Sequence, residues 1–176
     1  DQIKPTAASI VAELRELGVR PMIVSGDAIG PVHDVAKQVG IDVSETRSGV
    51  LPADKLRIVG ELQASGASVA MVGDGVNDTP ALAMATVGIA MGGAGTAQAM
   101  ETADIALMAE DLRQLPFAVK LSRFARNLIL QNVALAIGMK LIFLFLAASG
   151  GVTMWMAIFA DVGMSLIVTL NGMRAL

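Results

Sequence analysis

The spacing of apolar and polar positions divides the chain into two regions. Up to about residue 110, short apolar runs alternate with stretches whose apolar residues recur every three or four positions, as strands alternate with amphipathic helices. Ile10, Val11, Leu14 and Leu17 mark a first helix, which Gly18 closes. Strands are predicted at 21–24, 67–72, 87–91 and 104–108, and helices at 30–40, from 52 to about 64, from about 79, and over 96–101. The stretch between residue 40 and residue 51 reads as a variable connection. This alternation predicts an α/β fold with a doubly wound parallel sheet over residues 1–110.

Beyond residue 110 the pattern changes. Residues 111–126 form an amphipathic connecting helix through Leu115, Val119 and Leu121. Residues 128–148 then hold 21 positions with no acid and one cation, and 152–173 hold 22 with one acid. Each run is close to the roughly 20 residues that cross a bilayer, so transmembrane helices are expected at 127–149 and 151–173. Ser149, Gly150 and Gly151 leave room only for a tight antiparallel hairpin. Lys120, Arg123, Arg126 and Arg174 flank its outer ends while the loop carries no cation, which predicts both ends, and the α/β domain, in the cytoplasm.

Composition sharpens this division. A hydrophobic content of 54% and a mean hydropathy of +0.63 are too high for a wholly soluble chain, and the excess lies after residue 126. A net charge of -3 with 3% aromatics offers no surface for nucleic acid. The absence of Cys excludes thiolate metal sites, and a lone His33 in an amphipathic helix reads as a packing or surface residue. The first residue is Asp1 rather than Met and the first element is a helix, whereas an open α/β sheet normally starts with a strand that carries chemistry. A fragment of a longer protein is therefore expected.

The candidate chemistry lies at strand ends. In GDGVNDTPAL, residues 73–82, an apolar run stops at Gly73 and a helix begins near Thr79 and Pro80. Between them stand Asp74 and Asp78, four apart, with Gly75 and Asn77. Two carboxylates at a strand terminus beside glycines suit Mg2+ and an approaching phosphate. The competing reading is a turn whose acids only cap the helix. Ser25, Gly26 and Asp27 end another strand, where a helix cap is again the alternative. Lys55, close behind Pro52 at a helix start, opposes the helix dipole, which hints at a role beyond the surface.

Lys140 lies about ten residues before the hairpin loop and Asp161 about ten after it, so at 1.5 Å per residue both sit roughly 15 Å from the tip. A charge at that depth is expensive, and an acid and a base at matching depth are expected to pair and line a path. Asn132 and Ser165 fall on roughly the same faces.

GDGVNDTPAL resembles the hinge motif of the P-type ATPases, the cation-pumping branch of the haloacid dehalogenase superfamily. The resemblance implies a haloacid-dehalogenase-like partial phosphorylation domain followed by a two-helix transmembrane hairpin. It implies that Asp74 and Asp78 hold catalytic Mg2+, that Asn77 supports the phosphate site, and that Ser25, Gly26 and Asp27 bind the transferred phosphoryl group, Ser standing where the pumps have Thr. Lys55 would neutralise the phosphoryl charge, and Asp1 and Lys4, in DQIKP, would contact ATP.

The hairpin is similar to the last two membrane helices of the zinc, cadmium and lead pumps through Asn132, Lys140 and Asp161-Val162-Gly163. On that analogy Asp161 is a ligand of the exported heavy-metal cation, Lys140 a built-in counter-charge, and Asn132 and Ser165 line the path. The implied setting is a bacterial plasma membrane. Copper(I) pumps are the rival; they carry a Tyr-Asn pair in the first helix, and this chain has no Tyr. A membrane-tethered phosphatase and a non-catalytic fragment are further alternatives. No D-K-T-G-T occurs in the 176 residues, so the phosphorylated Asp and the other domains of the pump are expected upstream, and the chain by itself is expected to be inactive.

Overall fold

The computed structural model describes residues 3–73, 76–91, 97–107, 111–151 and 153–175, with backbone alone at 76, 97, 98 and 175. The chain forms two units, Asp1–Pro116 and Phe117–Leu176.

In the first unit α1 (Ala7–Glu16), β1 (Ile23–Val24), α2 (Ile29–Val39), β2 (Thr46–Arg47), α3 (Pro52–Ala64), β3 (Ala70–Gly73), α4 (Thr79–Met84), β4 (Val87–Met91), α5 (Ala97–Thr102) and β5 (Ile105–Leu107) follow one another. Every strand pair is parallel, as helical crossovers require. Among the described residues the strands hydrogen-bond in two groups, β1 with β2 and β3-β4-β5, rather than in one ladder. Each group has its own core. Ala36, Val39 and Ile41 gather Ile3, Ala7, Val11 and Ile23, while Leu82, Ala90 and Ala99 gather Met71 and Ala103.

The apolar stripe read on α1 faces inward: Ile10 is buried and Val11, Leu14 and Leu17 are half-buried. His33 is half-buried on α2. Three boundaries differ from expectation for identifiable reasons. β2 lies inside the stretch taken as a loop; two residues are too few to show a period. β3 begins at Ala70 rather than residue 67, because the N–H of Ala67 returns to the Leu62 carbonyl (3.1 Å) and that of Val69 donates to Thr86 Oγ1 (3.1 Å). Asp104 is absent from β5, but its Oδ2 accepts from the Gly88 N–H at 2.8 Å and so anchors the strand's start.

Gly88 fixes how closely α4 approaches β4. A Cβ there would stand 2.6 Å from the Leu82 carbonyl oxygen, a backbone atom with no freedom to swing aside. Gly88→Ala is therefore expected to destabilise the domain by about 3 kcal/mol, the upper end of overpacking costs, measured by chemical denaturation. A loss below about 1 kcal/mol would mean that α4 slides at little cost.

The connecting helix and the first apolar span are one continuous helix, α6 (Gln114–Ala148), all but its first three residues in the second unit, with no break near residue 126. α7 (Met154–Gly172) follows, its start capped by Thr153, whose side chain accepts from the Met156 N–H. Both are long and apolar enough to cross a membrane. Their large side chains stay outward: Phe145 is 75% exposed and Phe159 73%. That surface suits lipid or neighbouring membrane helices and is costly in water.

Candidate functional site

β1 ends in a closed turn. Ser25 Oγ donates to Asp27 Oδ2 at 2.8 Å and accepts from the Asp27 N–H at 3.2 Å. The segment after β2 folds onto this turn: Ser25 N–H donates to the Arg47 carbonyl, Val50 N–H to the Ser25 carbonyl, and Gly49 N–H to the Asp27 carbonyl at 2.7 Å. Gly49 reaches this position with φ +64°, where a side chain is strained. Gly26 lies against the same segment, where a Cβ would stand 3.4 Å from the Val50 carbonyl oxygen.

The same segment leads directly into α3. Pro52 takes a position where its missing N–H costs nothing, and the Asp54 carboxylate reaches back to the Leu51 N–H at 3.3 Å. Asp54 and Glu61 also flank Arg57, whose guanidinium is raised above its ordinary pKa, first by its hydrogen bond to Glu61. Lys55 turns away from that exposed cluster. Its Nζ donates to Asp78 Oδ1 at 2.6 Å, with the two side chains only 16% and 13% exposed.

This contact bears on the capping reading of Asp78. As the residue preceding α4 it occupies the N-cap, yet its side chain makes no capping hydrogen bond. Its carboxylate is committed to Lys55, 23 residues away. Oδ2 has no hydrogen-bond donor among the described residues and faces Gly73, where a Cβ would approach it to 3.0 Å. The following residue, Thr79, has a buried Oγ1 with no hydrogen-bond partner among the described residues. A carboxylate oxygen and an unpartnered hydroxyl are hard oxygen donors of the kind Mg2+ takes, usually with water and phosphate completing the set. No trio of His, Cys, Asp or Glu gathers among the described residues. Thr79 escaped the sequence reading; a hydroxyl opening a helix normally signals a cap, and here it makes none.

Asn77 lies exposed in the 3₁₀ turn Val76–Asp78. Lys4 is exposed, and its charge adds slightly to what holds the Asp111 carboxyl below its usual range. The main cause there is the Arg113 guanidinium, followed by the Arg113 backbone N–H. Asp1 and Asp74 lie outside the described residues. The strand ends of β1 and β3 are therefore linked through the 49–51 segment, α3 and the Lys55–Asp78 ion pair.

In the second unit Lys140 and Asp161 line one cavity between α6 and α7, with Met139, Phe143 and Met164 among its walls. The expected salt bridge is not made: among the described residues no ion pair within 4.0 Å joins the two. Equal depth sets their level, while the helix rotations that set their separation are decided by packing. Ser165 Oγ instead donates to the Asp161 carbonyl at 2.9 Å, a bond within α7. Asn132 Oδ1 accepts from Asn171 Nδ2 at 2.8 Å, a bond between the helices. Asn171 was not foreseen; a single amide near the end of an apolar run carries no local signal of its partner.

Residues 1–86 match the model of the haloacid dehalogenase-like hydrolase family. Over 175 residues the chain is 48% identical to a probable cadmium-transporting ATPase of Staphylococcus aureus, covering 99% of this chain and 22% of that protein. It is 41% identical to a cadmium, zinc and cobalt-transporting ATPase of Bacillus subtilis, covering all of this chain and 25% of that protein. A crystal structure of a zinc-transporting PIB-type ATPase in the E2.Pi state superimposes with a TM-score of 0.93 at 40% identity, over 99% of this chain and 28% of that one. Over essentially its whole length the chain is thus homologous to heavy-metal P-type ATPases. It spans about a quarter of the length of these curated relatives. P-type ATPases use ATP and Mg2+, and with two long apolar helices this stretch of one is membrane-embedded.

Proposed function

We propose that this chain forms part of the phosphoryl-transfer site and the last membrane hairpin of an ATP-driven pump that exports zinc, cadmium or lead. In this reading ATP phosphorylates an Asp on another part of the polypeptide, and hydrolysis of that acyl phosphate completes the cycle in two steps. Ser25, with the backbone around Gly26 and Asp27, binds the transferred phosphoryl group; Lys55 offsets its charge as a point donor. Asp74 and Asp78 would hold Mg2+, which when bound neutralises phosphate charge, with Asn77 at the edge of the site. Asp1 and Lys4 would meet the nucleotide. The membrane is a bacterial plasma membrane, with the α/β domain on the cytoplasmic side.

In the hairpin, Asp161 takes the transported cation and Lys140 replaces that cation's charge as it leaves. One observation carries this assignment: the two charges face a shared cavity without neutralising each other, so the carboxylate is free to ligate. A salt bridge serving only to lock the helices would be closed.

The test is metal-stimulated ATP hydrolysis by the full-length protein with and without Asp161→Ala. The half-maximal zinc or cadmium concentration is expected to rise by about tenfold or more, as loss of one charged ligand predicts. Unaltered stimulation would remove Asp161 from the ion path. Stimulation by copper(I) but not by zinc or cadmium would transfer the chain to the copper pumps.

A further inference from the structure

The hydrogen bond from Asn171 to Asn132 is one half of a longer arrangement. Asn171 Oδ1 also accepts from Arg174 Nη1 at 3.3 Å, so the amide of Asn171 is used at both ends and its orientation is fixed. Its oxygen faces a cation and its nitrogen faces α6. The guanidinium on the oxygen side keeps the amide from flipping, so its nitrogen stays turned toward Asn132. Asn132 in turn lies against the backbone of Gly172, where a Cβ would stand 3.9 Å from its Nδ2. The two helices are thus tied, at the end remote from the loop, by a part-buried polar contact.

Lys140 follows Asn132 by eight residues and Asp161 precedes Asn171 by ten, axial distances of about 12 and 15 Å. A slip of one helix past the other by a single turn, about 5.4 Å, would carry the two charges to different levels. Apolar contacts alone resist such a slip weakly in lipid, where no hydrophobic drive favours one apolar pairing over another. The loop end is held by the short connection at Ser149, Gly150 and Gly151. The open end has the amide contact.

We propose that Asn171, oriented by Arg174, is a positioning residue that sets the register of α6 against α7 and so the separation of Lys140 and Asp161. The proposal rests on the assignment of those two residues to the ion path. Asn132 then acts through its amide contact with Asn171.

The experiment uses the full-length protein reconstituted in lipid vesicles. Two quantities are read: the zinc concentration that half-maximally stimulates ATP hydrolysis, and phosphorylation by inorganic phosphate with Mg2+ and no zinc. Asn171→Leu, similar in volume and without the amide, is expected to raise the first by about threefold or more and to leave the second within about twofold. A merely structural contact would move both or neither. An unmoved zinc requirement overturns the proposal.

If Asn171→Leu fails to assemble, losing both readouts, Arg174→Gln decides. It keeps the interhelical bond but withdraws the cation behind it, and a rise that Arg174→Lys reverses supports the proposal, whereas no rise overturns it. Asp161→Ala in the same assay separates the two claims: no shift there fails the ion-path assignment, and a shift there without one in Asn171→Leu fails the positioning role alone.

Discussion

Replacing Lys55 with Met in the full-length protein is expected to lower metal-stimulated ATP hydrolysis by about a hundredfold or more, the loss typical when one preorganised charge-stabilising donor is removed. The ammonium lies 2.6 Å from Asp78 Oδ1 at a site where both side chains are largely shielded from water. Held there before any phosphate arrives, it needs little reorganisation when negative charge builds up on a transferring group. Met keeps most of the stem's volume, so packing around α3 survives.

The substitution also leaves the Asp78 carboxylate without its cation. Breaking one side of a fully buried pair costs about 3 to 5 kcal/mol, and this pair, which keeps some exposure, should lie at or below the lower end of that range. Rate and thermal stability are therefore measured together. A variant that retains more than about a third of its rate while losing stability would reduce Lys55 to a structural partner of Asp78. Lys55→Arg should fall between, because a planar fork cannot reproduce a compact point charge in the same space.

Gly73→Ala should act on the same carboxylate from the opposite side. The new Cβ would stand 2.8 Å from Asp78 Cβ and 3.0 Å from Oδ2. Gly73 has a backbone conformation open to any residue, since its φ is not positive, so the cost is steric and local. Asp78 must move by several tenths of an ångström. Misplacement of a reacting or ligating group by up to an ångström costs about a hundredfold in rate, so a loss between tenfold and a hundredfold is expected in ATP hydrolysis.

Stability should fall by only about 1 to 3 kcal/mol. The contrast with Gly88→Ala is informative, because there the obstacle is the Leu82 backbone and the damage should appear as unfolding. Raising the Mg2+ concentration should partly restore Gly73→Ala if the displaced carboxylate is a Mg2+ ligand. No response to Mg2+ would detach Asp78 from that role.

Much of the framework was open to a reader of the sequence. α3, β4 and α4 were legible because each is announced locally, by Pro52, by the apolar run at 87–91 and by Thr79-Pro80. The two spans were legible because length and hydropathy suffice to specify a membrane helix, though not that α6 continues unbroken from Gln114. The motifs at Ser25-Gly26-Asp27 and around Asp78 stood out by composition at strand ends. β2 did not, being too short to have a period.

The tertiary structure alone decided which of these residues meet. Spacing reports on neighbours three or four positions apart along a helix, or alternate positions along a strand. It says nothing about a partner 23 residues distant. That Asp78 serves Lys55 instead of capping α4, that Gly49 and Val50 close over Ser25 and Asp27, and that Thr79 Oγ1 is buried without a partner among the described residues are matters of how α3 and α4 pack against the strands. In the hairpin the sequence determined the depth of Lys140 and Asp161, because rise per residue is constant. Their failure to pair and the bond from Asn171 to Asn132 depend on helix rotation and register, which side-chain packing sets and no periodicity encodes.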